Sequence, residues 1–361
     1  MPFELGTFCL TVFNFTEEFP NNFLELFTAK CAGKLDDVKD EPQMGWVSGR
    51  HLLERRIDEE TSIVGSGYVY LHLRIAQRKI PSALLKAECK MEELAYCKAT
   101  GNHDVPRKVK REIKSNIEKK RFPQMVPQLS GVPLVIDQSQ KTLYLGTTSQ
   151  KQIDLFVGYF FETTNIKLFQ LSVDTLFFEN KKDIHSYHGM QLSKYLDEGI
   201  FPCRDFLTWL WYHSEEEKGN VKLADYGVFA TAVDGPLFFN AEGKGAFESV
   251  VRKGNPLRSA EAQVALKMGK KLKKSKIIFA KEKQVWSASF DADKLSFSSM
   301  NLPEGEDMEY TERFTERMET LYIFILLFKE LFSIYLNETE KNTWKDKSKK
   351  ISVWVEGWES Y

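Results

Sequence analysis

Cations dominate the residues of this chain that could do chemistry, and they are sorted rather than scattered. In the run PRKVKREIKSNIEKKRFPQ, Arg107, Lys108, Lys110, Arg111, Lys114, Lys119, Lys120 and Arg121 surround one thin apolar line, Val109, Ile113 and Ile117. At 3.6 residues per turn this spacing leaves most of a helix circumference positive. Such a surface attracts the phosphates of a nucleic-acid duplex and releases their counterions on binding. A charge run on a helix is commonly just a solvated face. This one is single-signed and lacks i,i+4 glutamate partners over most of its length, which favours a polyanion. Arg78 and Lys79 lie upstream in the same basic stretch. Phe122 follows Lys119-Lys120-Arg121 directly and could stack on or wedge between bases, although a phenylalanine at a helix end is more often a core anchor.

A second cluster comprises Lys267, Lys270, Lys271, Lys273, Lys274 and Lys276, straddling a helix end and a strand start. Cations are favoured at a helix C-terminus by its dipole, and lysines guard strand edges, yet six in ten residues exceeds both needs. Lys270, Lys271, Lys273 and Lys274 are therefore candidates for phosphate contact. Residues 74–121 hold fourteen Lys/Arg against six Asp/Glu, and residues 267–283 hold eight Lys against Glu282 alone. The whole chain sums to −1, so the remainder carries −16 and a near-neutral protein is strongly polarised.

Signals for catalysis are poor beside this. His185 and His188 in DIHSYHG have HxxH spacing but no further ligands, so a metal site is not expected. Glu88-Cys89-Lys90 matches the ExK fragment of many nucleases on a segment where Glu and Lys abound, and the match carries almost no information. No phosphate loop, GxSxG elbow or HExxH motif is present. No catalytic residue, metal or cofactor is expected. The five cysteines, Cys9, Cys31, Cys89, Cys97 and Cys203, form no CxxC pair, consistent with buried thiols in a reducing cytoplasm. No secretory signal is legible before Phe15, and the longest apolar run, Leu321 to Phe328, is too short to span a bilayer.

The elements that must position these residues alternate in type. Residues 5–15 read as a strand, 22–31 as a helix with Asn22 as N-cap, and Gly45-Trp46-Val47 as part of a loop. Residues 68–75 alternate as a half-buried strand, with Val69, Leu71, Leu73 and Ile75 on one face and Tyr68, Tyr70, His72 and Arg74 on the other. Pro81 then starts a helix with Leu84, Ala87, Met91, Leu94 and Ala95 in a stripe, ending before Gly101, and a second helix runs from about 106 to 120. Two helices with narrow stripes predict a protruding hairpin. Strands at 132–137 and 141–148 precede a helix capped by Ser149 with Ile153, Phe156, Val157, Phe160 and Phe161 inward, then a strand near 167–173.

Beyond residue 200 a helix is expected from Asp205 and strands at 221–233, 236–240 and 246–252. A helix from Ser259 to about Met268 is followed by strands at 275–280, 284–291 and 294–300. After the acidic loop Glu304 to Glu309, a helix at 310–338 is apolar on every side from Leu321 to Phe328 and must be buried in its own core or against another subunit. The fold class is α+β, with antiparallel sheets, a protruding helical insertion and a long C-terminal helix. The expected divisions are a discontinuous central domain (1–75 and 126–175), a helical tip (76–125), a base domain (176–340) and a polar tail (341–361).

The order of several short motifs resembles the RdgC family, recombination-associated proteins of bacteria. Gly45-Trp46-Val47, then Lys79-Ile80-Pro81-Ser82-Ala83, a charged helical segment, and Leu134-Val135-Ile136-Asp137 occur in sequence. FLTWLW at 206–211, Ala265-Leu266-x-x-Gly269-Lys270 and a strand containing Trp286 follow, so the likeness is colinear from about residue 3 to 338, as in a divergent, longer member. Residues 175–257 match it poorly, and the tail after Asn337 has no counterpart. The resemblance implies a homodimer closing into a ring with central, tip and base regions, whose positive hole encircles duplex DNA without reading sequence. It also implies a nucleoid-associated cytoplasmic protein that limits access of the RecA recombinase to DNA. The residue-based alternative is a metal-dependent DNA nuclease built on scattered carboxylates.

Overall fold

The computed structural model describes residues 3–39, 41–190, 192, 200–241, 248–305, 309–340 and 344–357. Parts of the expected strand at 246–252 and of the acidic loop at 304–309 lie outside these residues. Along the chain, strand β1 (Phe8–Asn14) leads to helix α1 (Phe23–Ala29), strand β2 (Gln43–Ser48), the one-turn helix α2 (Glu59–Ser62), and strands β3 (Ile63–Val64) and β4 (Tyr68–Gln77). A helical hairpin follows, α3 (Ser82–Thr100) and α4 (Arg107–Arg121), before the chain returns as β5 (Gln128–Asp137) and β6 (Thr142–Leu145). Helix α5 (Gln150–Thr164), β7 (Phe169–Gln170) and α6 (Val173–Glu179) come next. Then come α7 (Pro202–Glu216), β8 (Asn220–Leu223), β9 (Gly227–Asn240), β10 (Glu248–Val251) and α8 (Ala260–Lys267). The strands β11 (Lys271–Lys281), β12 (Gln284–Asp291) and β13 (Ser296–Asn301) precede the long α9 (Tyr310–Thr339) and α10 (Trp344–Glu356).

The class is α+β. One antiparallel sheet runs in the order β10-β9-β11-β12-β13-β1-β6-β5-β4-β2, with β3 beside β4, β7 beside β1 and β8 beside β9. Strand β1 joins its two halves: Phe8 and Leu10 pair with Met300 and Phe297 on β13, whereas Thr11 to Asn14 pair with β6. Because successive side chains point to opposite faces, this strand serves two cores. Leu10 and Val12 enter a core with Phe206 of α7 and Phe324 and Phe328 of α9. Phe13 enters the other, with Ile153, Phe156 and Phe160 of α5 and Phe27 of α1. The all-round apolar stretch of α9 is buried in its own chain: Phe324 and Phe328 meet Phe297 edge-on at 5.3 and 5.1 Å.

Four expectations need correction. Gly45-Trp46-Val47 is not loop but lies within β2, paired residue by residue with Arg74, Leu73 and His72 of β4. The glycine is required there, because a Cβ at Gly45 would lie 2.3 Å from Ala32 Cα. Strand β4 is buried on both faces rather than half-buried. Its polar face is covered because Tyr70 packs on Phe3 and Phe314 and Arg74 donates to the carbonyls of Gly33 and Leu52. Phe161 turns outward from α5, 42% exposed. Of the expected polar tail at 341–361, residues 341–343 and 358–361 lie outside the described residues, and the rest is not a tail but holds α10, which buries Ile351 and Val355 and sets Trp354 edge-on to Trp211 at 5.4 Å.

Candidate nucleic-acid interface

The hairpin inserted between β4 and β5 carries the first basic stretch, and its two helices are unequal in what they bury. Helix α3 has no buried residue in nineteen, and α4 buries only Ile117, with Val105 of the link beneath it. Gly101 takes the left-handed conformation (φ +72°) that ends α3 and turns the chain back. The half-buried face of α3 is Leu85, Glu88, Cys89, Glu93, Tyr96 and Cys97. The stripe Leu84, Ala87, Met91, Leu94 and Ala95 is instead exposed, with Leu84, Met91 and Leu94 at 37, 61 and 52%.

On α4, Arg107, Lys108, Lys110, Arg111, Lys114, Lys119 and Lys120 are all exposed. Lys114 sits 3.7 Å from Glu118, an exposed i,i+4 pair of small energetic weight, and none of the other six forms an ion pair among the described residues. Lys79 is exposed at the root, and Phe122 is half-buried where α4 gives way to a 3-10 turn. Two of the arginines have work inside the protein. Arg78 Nε donates to Val38 O at 2.7 Å, and its Nη1 donates to Pro123 O at 3.2 Å and to Met125 O. Arg121 forks onto Glu88, Nη2 to Oε1 at 2.5 Å and Nε to Oε2 at 3.0 Å, and donates to Gln124 Oε1 at 2.9 Å. The fork holds the Glu88 carboxyl below its usual range. Both arginines, expected as phosphate ligands, are engaged as internal ties in the free protein. Their partners stand 33 to 47 residues away, so no local pattern in the sequence marks them.

The second lysine cluster does not form one surface. Lys271 is 4% exposed and is the clear correction: its Nζ lies 2.7 Å from Asp205 Oδ1 and donates to Met190 O at 3.2 Å. Asp205 Oδ2 in turn accepts from Tyr187 Oη and Met190 N. Lys273 lies 3.4 Å from Asp293, which Arg204 also engages at 2.6 Å. Lys270 donates to Ser249 Oγ at 2.6 Å, and Lys267 to Glu356 O at 3.3 Å. Lys274 stands over the Phe238 ring. Moreover, β11 is five strand positions from β5, about 24 Å at the usual spacing, so within one chain these lysines and the hairpin root are well apart. His185 and His188 are exposed, His188 bonding Ser186 O, and among the described residues no group of three or more His, Cys, Asp or Glu could hold a metal ion.

Seven exposed cations thus project from one helix of this α+β protein, a surface chemically suited to a polyanion. Among family models, the one described as "Putative exonuclease, RdgC" matches residues 9–182 of the 361, a span just under half of the chain that runs from β1 through the hairpin and past α6. The match supports an RdgC family member, and that family suggests a recombination-associated DNA-binding role. None of the curated proteins matches the chain. No described helix is long and apolar enough to cross a membrane.

Proposed function

We propose that this protein binds duplex DNA without sequence preference, as a ring-shaped homodimer that encircles the duplex and limits RecA access to it in the nucleoid of the cytoplasm. The observation that carries the reading is the set of seven exposed cations on α4, six of them without an ion pair among the described residues: a helix so charged binds phosphate through counterion release and has no base-reading pattern. The exposed stripe of α3 supports the self-contact, because a hairpin with so little buried surface gains most from apolar contact with a second copy.

Gel-shift titrations at several salt concentrations test it. Lys108→Glu/Arg111→Glu/Lys120→Glu is expected to flatten the plot of log affinity against log salt by about 0.9 per lost contact. An unchanged plot overturns the assignment of the hairpin. The description of the matched family model favours a second reading, an exonuclease. Incubation with end-labelled duplex and Mg²⁺ or Mn²⁺ separates the two, since an encircling protein leaves the strands intact.

A further inference from the structure

We propose that Glu88 and Arg121 are positioning residues for DNA binding: their ion pair sets the angle of α4 against α3 and so aims the cations of α4 at the phosphates. The inference rests on the DNA-binding reading above and goes beyond it, because it assigns the sign of a charge effect opposite to what net charge alone predicts.

The hairpin leaves the sheet at Gln77 and returns at Gln128, so its direction is decided at its root. There Arg78 ties the exit turn, through the carbonyls of Pro123 and Met125, to Val38 of the loop before β2. Further out, Arg121 at the end of α4 forks onto Glu88 in the second turn of α3. A two-point fork fixes orientation as well as distance, which a single apolar contact does not. Apolar packing between these helices is sparse, and the Glu88 side chain is 14% exposed, so the fork is partly shielded from water. Arg121 is consequently committed to a neighbour rather than to a phosphate. Binding geometry that is prepared in the free protein lowers the cost of association, and a hairpin free to swing loses that advantage.

Three variants of the full chain test this: Glu88→Arg, Arg121→Glu, and both together, which reverses the pair at unchanged net charge. Glu88→Arg adds two positive units, yet DNA affinity is expected to fall about tenfold at every salt concentration with the salt slope retained. The double variant is expected to return to within about twofold of the parent. Amide exchange over residues 107–121 in the free protein should quicken in both single variants and recover in the double, while the thermal midpoint of the whole chain serves as the folding control.

Tighter binding by Glu88→Arg, or a double variant as weak as Arg121→Glu, overturns the proposal. So would an Arg121→Glu slope reduced by about 0.9 without rescue, since that is the signature of a direct phosphate contact. If exchange behaves as expected but the triple charge reversal on α4 leaves DNA binding untouched, it is the DNA-binding reading that falls, and the pair is a structural tie alone.

Discussion

Lys108 and Lys271 carry the same side chain and end in opposite surroundings, one in water on α4 and the other enclosed against Asp205. Nothing within ten residues of Lys271 foretells this, since its carboxylate partner is 66 residues away on α7. The consequence can be measured. Asp205→Asn strands a buried ammonium and should cost about 3–5 kcal/mol in a urea titration, with DNA affinity of the folded fraction unaltered; a cost near zero would mean that Lys271 escapes to solvent. His72 is a second residue whose role comes from tertiary context. Its imidazole, 3% exposed with Nδ1–H donating to Ser48 O at 3.3 Å, is held down to about 4 by burial, from an ordinary 6.5. Between those values the unfolded chain binds the proton and the folded chain does not, so this contribution is complete above pH 6.5 and is lost as pH falls toward 4. About 3 kcal/mol of stability is at stake, and His72→Gln should remove that part of the slope when urea midpoints are compared at pH 4.5 and 7.

At the scale of elements, periodicity revealed most of the helices and strands, because their cores are one-sided and their turns carry Gly, Pro and Asn signals. It misled where both faces are buried or where lysines crowd an apolar stripe. Strand β4 shows clean alternation, yet Tyr70, His72 and Arg74 on its polar side are enclosed by Phe3, Phe314 and the carbonyls of Gly33 and Leu52, which come from distant segments. Helix α10 has Trp344, Ile351, Trp354 and Val355 at helical spacing, but the lysines between them give the segment the composition of a tail. Lys347 bridges Glu217 and Glu338, at 2.7 and 2.6 Å, and Gln263 donates to Val355 O at 3.0 Å, so α10 ties α7, α8 and α9 together. Ile351→Ala should therefore cost about 2–5 kcal/mol in thermal or denaturant unfolding, whereas a solvated tail would register almost nothing.

At the scale of the whole molecule, the polarity of charge was legible from residue counts alone, whereas the division of cations into free and committed ones was not, because ion pairs such as Arg121–Glu88 join segments far apart in sequence. The proposed ring makes a prediction that depends on closure rather than on affinity. Phosphate contacts by two copies of α4 weaken steeply with salt, by about a thousandfold or more between about 50 and 200 mM for a surface of this size. An open binder therefore dissociates from linear and circular DNA alike after a salt challenge. A closed ring cannot leave a covalently closed circle unless an interface between the copies opens, and it slides off a linear duplex of the same sequence. Complexes assembled at low salt should survive the challenge on circles, vanish from linear DNA, and be released from circles by a restriction cut. Leu84→Glu/Met91→Glu/Leu94→Glu places charges on the exposed α3 stripe and should halve the solution mass and abolish retention on circles, while initial binding stays salt-dependent with a slope reduced to about half, as one copy of α4 replaces two. Equal loss from both forms of DNA by the parent protein would leave the cationic hairpin standing and remove the ring.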